Sequence, residues 1–169
     1  MAPSYVHAQR TPVPDMAAVG GDIGVFIPRE DFLENALNLE GFYEYYMTSR
    51  TSIRLGVGWM RPEFEGNDDD ENDGFRYVRI AGDIVRNWEG GAIHPFVGAG
   101  LAIYFIQQKD NGDVGDDHTK LGGTVFGGLE FFTNRTTSVK AEARYHLIDN
   151  INGFNPDGFA LTIGLKKYF

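Results

Sequence analysis

The chain has no cysteine among its 169 residues, which excludes a disulfide framework and any thiolate metal site. Base is scarce: 15 lysines and arginines stand against 24 aspartates and glutamates, a formal net charge of -9. Binding to a phosphate backbone needs a basic face, so nucleic acid is excluded as a partner. No run approaches the ~18 consecutive apolar residues of a transmembrane helix, and neither a Rossmann-type glycine fingerprint nor a long amphipathic helix is visible. His7, His94 and His118 lack metal-ligand spacing, so no metal or other cofactor is implied. The opening MAPSYVHAQR has neither the basic start nor the apolar run of a signal peptide. It reads as a mature or recombinant N-terminus, or as a cytoplasmic start.

What the chain does have is glycine (22 residues), aromatics (14%) and alternation. Three prolines and no periodicity mark the start as a flexible lead-in, residues 1–16, ahead of a single domain over 17–169. Eight alternating segments follow, at about 17–28, 36–48, 52–64, 75–88, 93–107, 119–133, 137–148 and 158–169. Each approaches or exceeds the ~9–11 residues of a tilted membrane strand, whereas a mean soluble strand has about 5–6. The connections alternate in kind. Ser49-Arg50-Thr51, Glu89 to Ile93, and Asn134-Arg135-Thr136 are short, while PREDFLENA, RPEFEGNDDDENDG, KDNGDVGDDHT and DNINGFNPDG are long and polar. Short turns on one rim and long loops on the other predict an all-β fold, an eight-stranded antiparallel up-and-down transmembrane β-barrel. Within the first loop, FLENAL could form one helical turn.

Alternation alone does not say which face points inward. One phase is apolar, as in Leu37, Leu39, Tyr43, Tyr45 and Met47, or Val97, Ala99, Leu101, Ile103 and Phe105. The other phase mixes charge of both signs with glycine and large aromatics. Glycine weakens a solvent-facing strand, but in a narrow barrel interior large side chains must alternate with small ones. The apolar phase is therefore assigned to lipid. Its aromatics fall into two belts, Tyr45, Trp88, Phe131 and Phe169 near one rim and Trp59, Phe105, Tyr145 and Phe159 near the other, as a bilayer selects. The alternative is a soluble or periplasmic eight-stranded ligand-binding barrel with the faces exchanged. The fourth segment is the least regular: Arg79 and Asp83 share one phase, and Arg76 and Arg86 fall in the other. Either these two arginines lie at strand ends and snorkel, or a bulge shifts the phase.

The stretches HPFVGAGLAIYF, GGTVFGGLEFFTNRTTSVKAEARYH and TIGLKKYF resemble the small bacterial outer-membrane β-barrel superfamily, the OmpA/OmpX/OmpW-like group. The resemblance implies an outer-membrane location with both termini in the periplasm, and no one activity. It implies that the last strand, with Gly164 and the terminal Phe169, is an assembly signal read by the barrel assembly machinery. Lys167 departs from the apolar or aromatic residue usual there. It also implies outer-membrane lipids and lipopolysaccharide as partners.

Ten charged residues are assigned to the interior: Asp22, Glu40, Glu44, Arg54, Arg79, Asp83, Glu130, Lys140, Glu142 and Arg144. Charge in a confined interior must pair, so they form either a salt-bridge network that plugs the barrel or a rearrangeable one that passes small ions. The second long loop holds Glu63, Glu65, Asp68, Asp69, Asp70, Glu71 and Asp73, and Asp110, Asp113, Asp116 and Asp117 add acid in the third. Asp68, Asp70 and Asn72 have the spacing of the first calcium-loop ligands, but the required glycine is displaced to Gly74 and no glutamate closes the loop. The acid reads as a solvated loop, or as a weak site for divalent cations. ARYHLIDN around His146 resembles the catalytic region of outer-membrane lipid A deacylases, which use histidine, serine and an acid. Ile148 stands where the serine belongs, and Ser4, Ser49, Ser52 and Ser138 lie elsewhere, so the chain is read as a structural or surface-interaction protein and not as an enzyme.

Overall fold

A computed structural model describes residues 12–30, 33–62, 74–89, 91, 93–110, 113–149 and 155–169. Eight strands follow one another: β1 (Ala17–Pro28), β2 (Ala36–Tyr46), β3 (Thr51–Met60), β4 (Gly74–Asn87), β5 (Ile93–Asp110), β6 (Asp113–Asn134), β7 (Thr137–Ile148) and β8 (Gly158–Tyr168). Each pairs antiparallel with the next, and β8 returns to β1 to close the barrel. The closing ladder runs from Ala18↔Tyr168 to Pro28↔Gly158. Phe169 extends it, its N–H donating to the Ala17 carbonyl at 2.9 Å. Closure leaves the wall without an open edge.

Local chemistry fixes the short turns. Between β2 and β3, the amides of Arg50 and Thr51 donate to Thr48 Oγ1 at 3.2 and 3.0 Å. Between β6 and β7, the Thr136 amide donates to Asn134 Oδ1 at 2.9 Å. Side-chain oxygens here satisfy backbone donors that the ladder leaves free.

The phase decides inside from outside. Leu101 is 77% exposed, Leu121 65% and Ile163 64%, whereas Arg54, Arg79 and Lys140 are each 1% exposed. An apolar exterior around a charged interior is the arrangement of a barrel in lipid and the reverse of a soluble one, so the exchanged-face alternative is set aside. The two aromatic belts lie on this outer wall, with Tyr145 and Phe159 directly opposite each other in the β7–β8 ladder. Arg76 and Arg86 are the outward pair of β4, near its two ends, and the β4 register runs without a shift. Strand-end placement, not a bulge, explains their phase. Arg86 Nη1 donates to Thr51 Oγ1 at 2.9 Å.

Two expectations are corrected. KDNGDVGDDHT is not a long loop: β5 and β6 stay paired out to Asp110↔Asp113, with one register shift between Gln107 and Lys109. Among the described residues of FLENAL, Leu33 to Leu37, there is no helical turn. Ala36 and Leu37 already belong to β2, and Leu33 is buried against the apolar cluster that fills the long-loop end. The acidic stretch 63–73, with its calcium-like spacing, lies outside the described residues.

Candidate functional site: the charged interior

Inward positions on all eight strands converge on one interior. Toward the short-turn end it is closed by Ala18, Tyr46 and Tyr168, with Met16 and Phe132 packed against them. Toward the long-loop end it is closed by a larger cluster that includes Phe26, Met60, Phe75, Tyr77, Tyr104 and Ile106. Between these two apolar layers lie all ten charged residues assigned to the interior, each buried.

Glu142 is the centre of the network. Its carboxylate takes Arg54 Nη1 at 2.7 Å and Lys140 Nζ at 2.9 Å on one oxygen, and Arg144 Nη2 at 2.8 Å on the other. Each cation then reaches a second acid: Lys140 meets Asp22 at 2.6 Å, Arg144 meets Asp83 at 3.0 Å, and Arg54 meets Glu44 at 3.1 Å. Arg79 holds Glu40 at 2.7 Å, and Glu40 lies 3.8 Å from Arg144. Thr124 donates to Asp83 at 3.1 Å and Ser52 to Glu44 at 2.5 Å. Glu130 joins through Lys166, whose Nζ is 3.0 Å from Glu44 and 3.3 Å from Glu130. Glu130 also accepts hydrogen bonds from Ser138 and Tyr168. All ten residues thus belong to one connected system.

The sequence reasoning missed Lys166, which is the link between Glu44 and Glu130. Its signal was available, since in the period-two pattern of the last strand it shares a face with Ala160, Thr162 and Gly164. Aromatic faces complete the charge environment. The Arg144 guanidinium lies 3.9 Å from the centroid of Phe126, and Lys140 Nζ lies 4.5 Å from that of Phe42. Such contacts let a cation sit out of water without a full set of oxygen partners. Glycine makes the space. A Cβ on Gly20 would stand 2.2 Å from the Phe42 ring, and one on Gly164 would stand 1.8 Å from Asp22 Oδ1 and 2.6 Å from the Gly21 carbonyl. Gly164 therefore has a packing reason of its own. Phe169 is 69% exposed, on the outer wall.

His146 is buried beneath the long-loop cluster. Its Nδ1 is 2.9 Å from the Tyr104 hydroxyl, and its ring meets Phe26 edge-on at 5.7 Å. Ser52 and Ser138 point instead to Glu44 and Glu130, so among the described residues no serine is placed for histidine activation, which needs hydrogen-bond reach.

The sequence matches the family described as outer membrane protein beta-barrel domain over residues 5–169. The chain belongs to this family. Membership places it in the bacterial outer membrane, with the apolar wall against lipid. Solved barrels share the architecture at low identity. Neisserial surface protein A matches with a TM-score of 0.74 at 16% identity, over 90% of this chain and 97% of that one. OprG from Pseudomonas aeruginosa matches with a TM-score of 0.71 at 11% identity, over 93% and 97%. Ail, the attachment invasion locus protein of Yersinia pestis, matches with a TM-score of 0.65 at 12% identity, over 93% and 100%. Identities this low establish the fold alone. A comparison with curated protein sequences gave no match.

Proposed function

We propose that this outer-membrane barrel is a closed scaffold with a structural and surface-interaction role, and that its charged interior is a plug, not an open path for ions. The observation that carries this reading is the continuous network from Arg79 to Glu130, lying between two apolar layers. An ion crossing it would have to displace buried partners held at 2.6–3.1 Å, and breaking one buried pair costs about 3–5 kcal/mol. An eight-stranded barrel is also narrow enough for side chains to fill it.

The working parts are then the long-loop rim and the lipid-facing wall, with residues 1–16 as a lead-in and 17–169 as the barrel domain. Outer-membrane lipids and lipopolysaccharide are the proposed partners of the wall. A crystal structure of Ail holds the heparin analogue sucrose octasulfate, which supports surface recognition as a use of this architecture. The acidic stretch at 63–73 carries the same sign of charge as such a ligand and would repel it, and it suits divalent cations that bridge to lipid phosphates. Gly164 in β8 and Phe169 just beyond it are proposed as the signal read by the barrel assembly machinery. This reading assigns His146 to interior packing and no catalytic step to the chain.

Planar-bilayer recording tests the plug. The purified barrel should add no steady conductance in molar potassium chloride. A stable open level in most insertions would overturn the reading.

A further inference from the structure

Beyond the outer aromatic belt, on the lipid-facing side of β4, β5 and β6, lies a hollow of ≈ 240 Å³ whose lining includes Arg76, Val78, Phe105, Gln107 and Thr119. The register sets the levels. Val78 and Thr119 both stand opposite Phe105, in one row with the belt, and Arg76 stands opposite Gln107 one step further out. Two residues of tilted strand rise about 5–7 Å. The headgroup layer on each side of a bilayer's hydrocarbon core is also about 5–7 Å thick. Arg76 is therefore level with lipid headgroups, with an aromatic ring below it at the top of the acyl chains.

Other rim arginines are held by protein: Arg86 by Thr51, Arg50 by Glu89 and Arg29 by Asp157. Among the described residues Arg76 has no hydrogen-bond or ion-pair partner, and it is exposed on the outer wall. A guanidinium presents a planar fork that matches the oxygens of a phosphate. Gln107 and Thr119 place an amide and a hydroxyl on the facing strands.

We propose that this hollow is a lipid site that takes the phosphate of an outer-leaflet headgroup. Arg76 is its charged anchor, Gln107 and Thr119 are its polar walls, and Phe105 lies against the first segment of the acyl chain. The proposal rests on the reading that the outer wall contacts outer-membrane lipid, and it names where.

The test uses the full chain, isotope-labelled and refolded in a neutral detergent, titrated with dihexanoyl phosphatidic acid and followed by amide NMR. Saturable shifts are expected at Arg76, Gln107 and Thr119. Arg76→Gln should weaken binding by about tenfold or more, the loss of a charge-assisted contact, and Phe105→Ala should weaken it less. Arg86→Gln, at the other rim, should leave these shifts unchanged. Inorganic phosphate and sucrose octasulfate are run at equal concentration. If either saturates the same amides as tightly as the lipid, the hollow is a soluble-anion site and the proposal fails. It also fails if Arg76→Gln binds as tightly as the parent. Retained lipid shifts elsewhere on the wall, with none in this hollow, would overturn the site while leaving lipid contact in place. Loss of all lipid shifts would overturn both.

Discussion

Replacing Glu142 by glutamine removes one charge and almost no volume, so it isolates the electrostatic role of the network from packing. In the barrel this carboxylate is shared by Arg54, Lys140 and Arg144 at 2.7–2.9 Å, all buried. The glutamine amide keeps one acceptor oxygen but turns its NH2 toward guanidinium or ammonium groups that have nothing to accept with. Breaking a buried pair by neutralising one partner costs about 3–5 kcal/mol. The three cations keep Glu44, Asp22 and Asp83, which places the expected loss toward the lower end, about 3 kcal/mol. That is roughly a hundredfold shift in the folding equilibrium. Reversible urea unfolding in phospholipid vesicles, followed by the fluorescence of Trp59 and Trp88 and by the mobility of unboiled samples, measures it. Glu89→Gln is the matched control. Its pair with Arg50 is 3.9 Å long with both side chains about half exposed, and its loss should stay below about 1 kcal/mol. If Glu142→Gln and Glu89→Gln fall within error of each other, the interior network is not what closes and stiffens this barrel.

Three further outcomes follow from the geometry. Gly164→Ala drives a methyl into Asp22 and the Gly21 carbonyl, so it should destabilise the barrel by about 1–3 kcal/mol even when refolded in pure lipid. Normal refolding there, with a defect only in cells, would leave Gly164 a signal for assembly alone. Phe169→Ala should do less in pure lipid, because the backbone of Phe169 makes the bond to Ala17, while lowering the amount of barrel delivered to the outer membrane of cells. Leu101→Arg places a cation mid-strand on the lipid face and should cost about 2–4 kcal/mol in vesicle unfolding titrations. A neutral result would mean that Leu101 is not in hydrocarbon.

Most of the architecture was legible because a membrane wall imposes one chemistry on every second residue. The run Leu37 to Met47 shows it with Gly41 as the single break in the apolar phase, and the glycines opposite Phe42 and Asp22 told inside from outside. The signal failed where that constraint ends. At the outer ends of β5 and β6 the stretch KDNGDVGDDHT has no period-two alternation, so it reads as a loop. The phase of the alternation could assign ten charges to the interior but could not pair them. Arg54 reaches Glu142 across the interior from 88 residues away, and such contacts depend on barrel stagger, not on sequence spacing. Lys166 escaped because a terminal strand read as an assembly signal was not also read for its inner face.

The central claim is that the apolar phase of each strand faces hydrocarbon and the charged phase faces a closed interior. A chain without cysteine allows single spin labels to be placed cleanly. Labels at Leu101 and Ile163 in the vesicle-reconstituted barrel should be reached by oxygen and not by a water-soluble nickel chelate, whereas a label at the exposed turn residue Arg50 should show the reverse. Nickel access at Leu101 and Ile163 equal to that at Arg50 would contradict the account, because the wall would then face water.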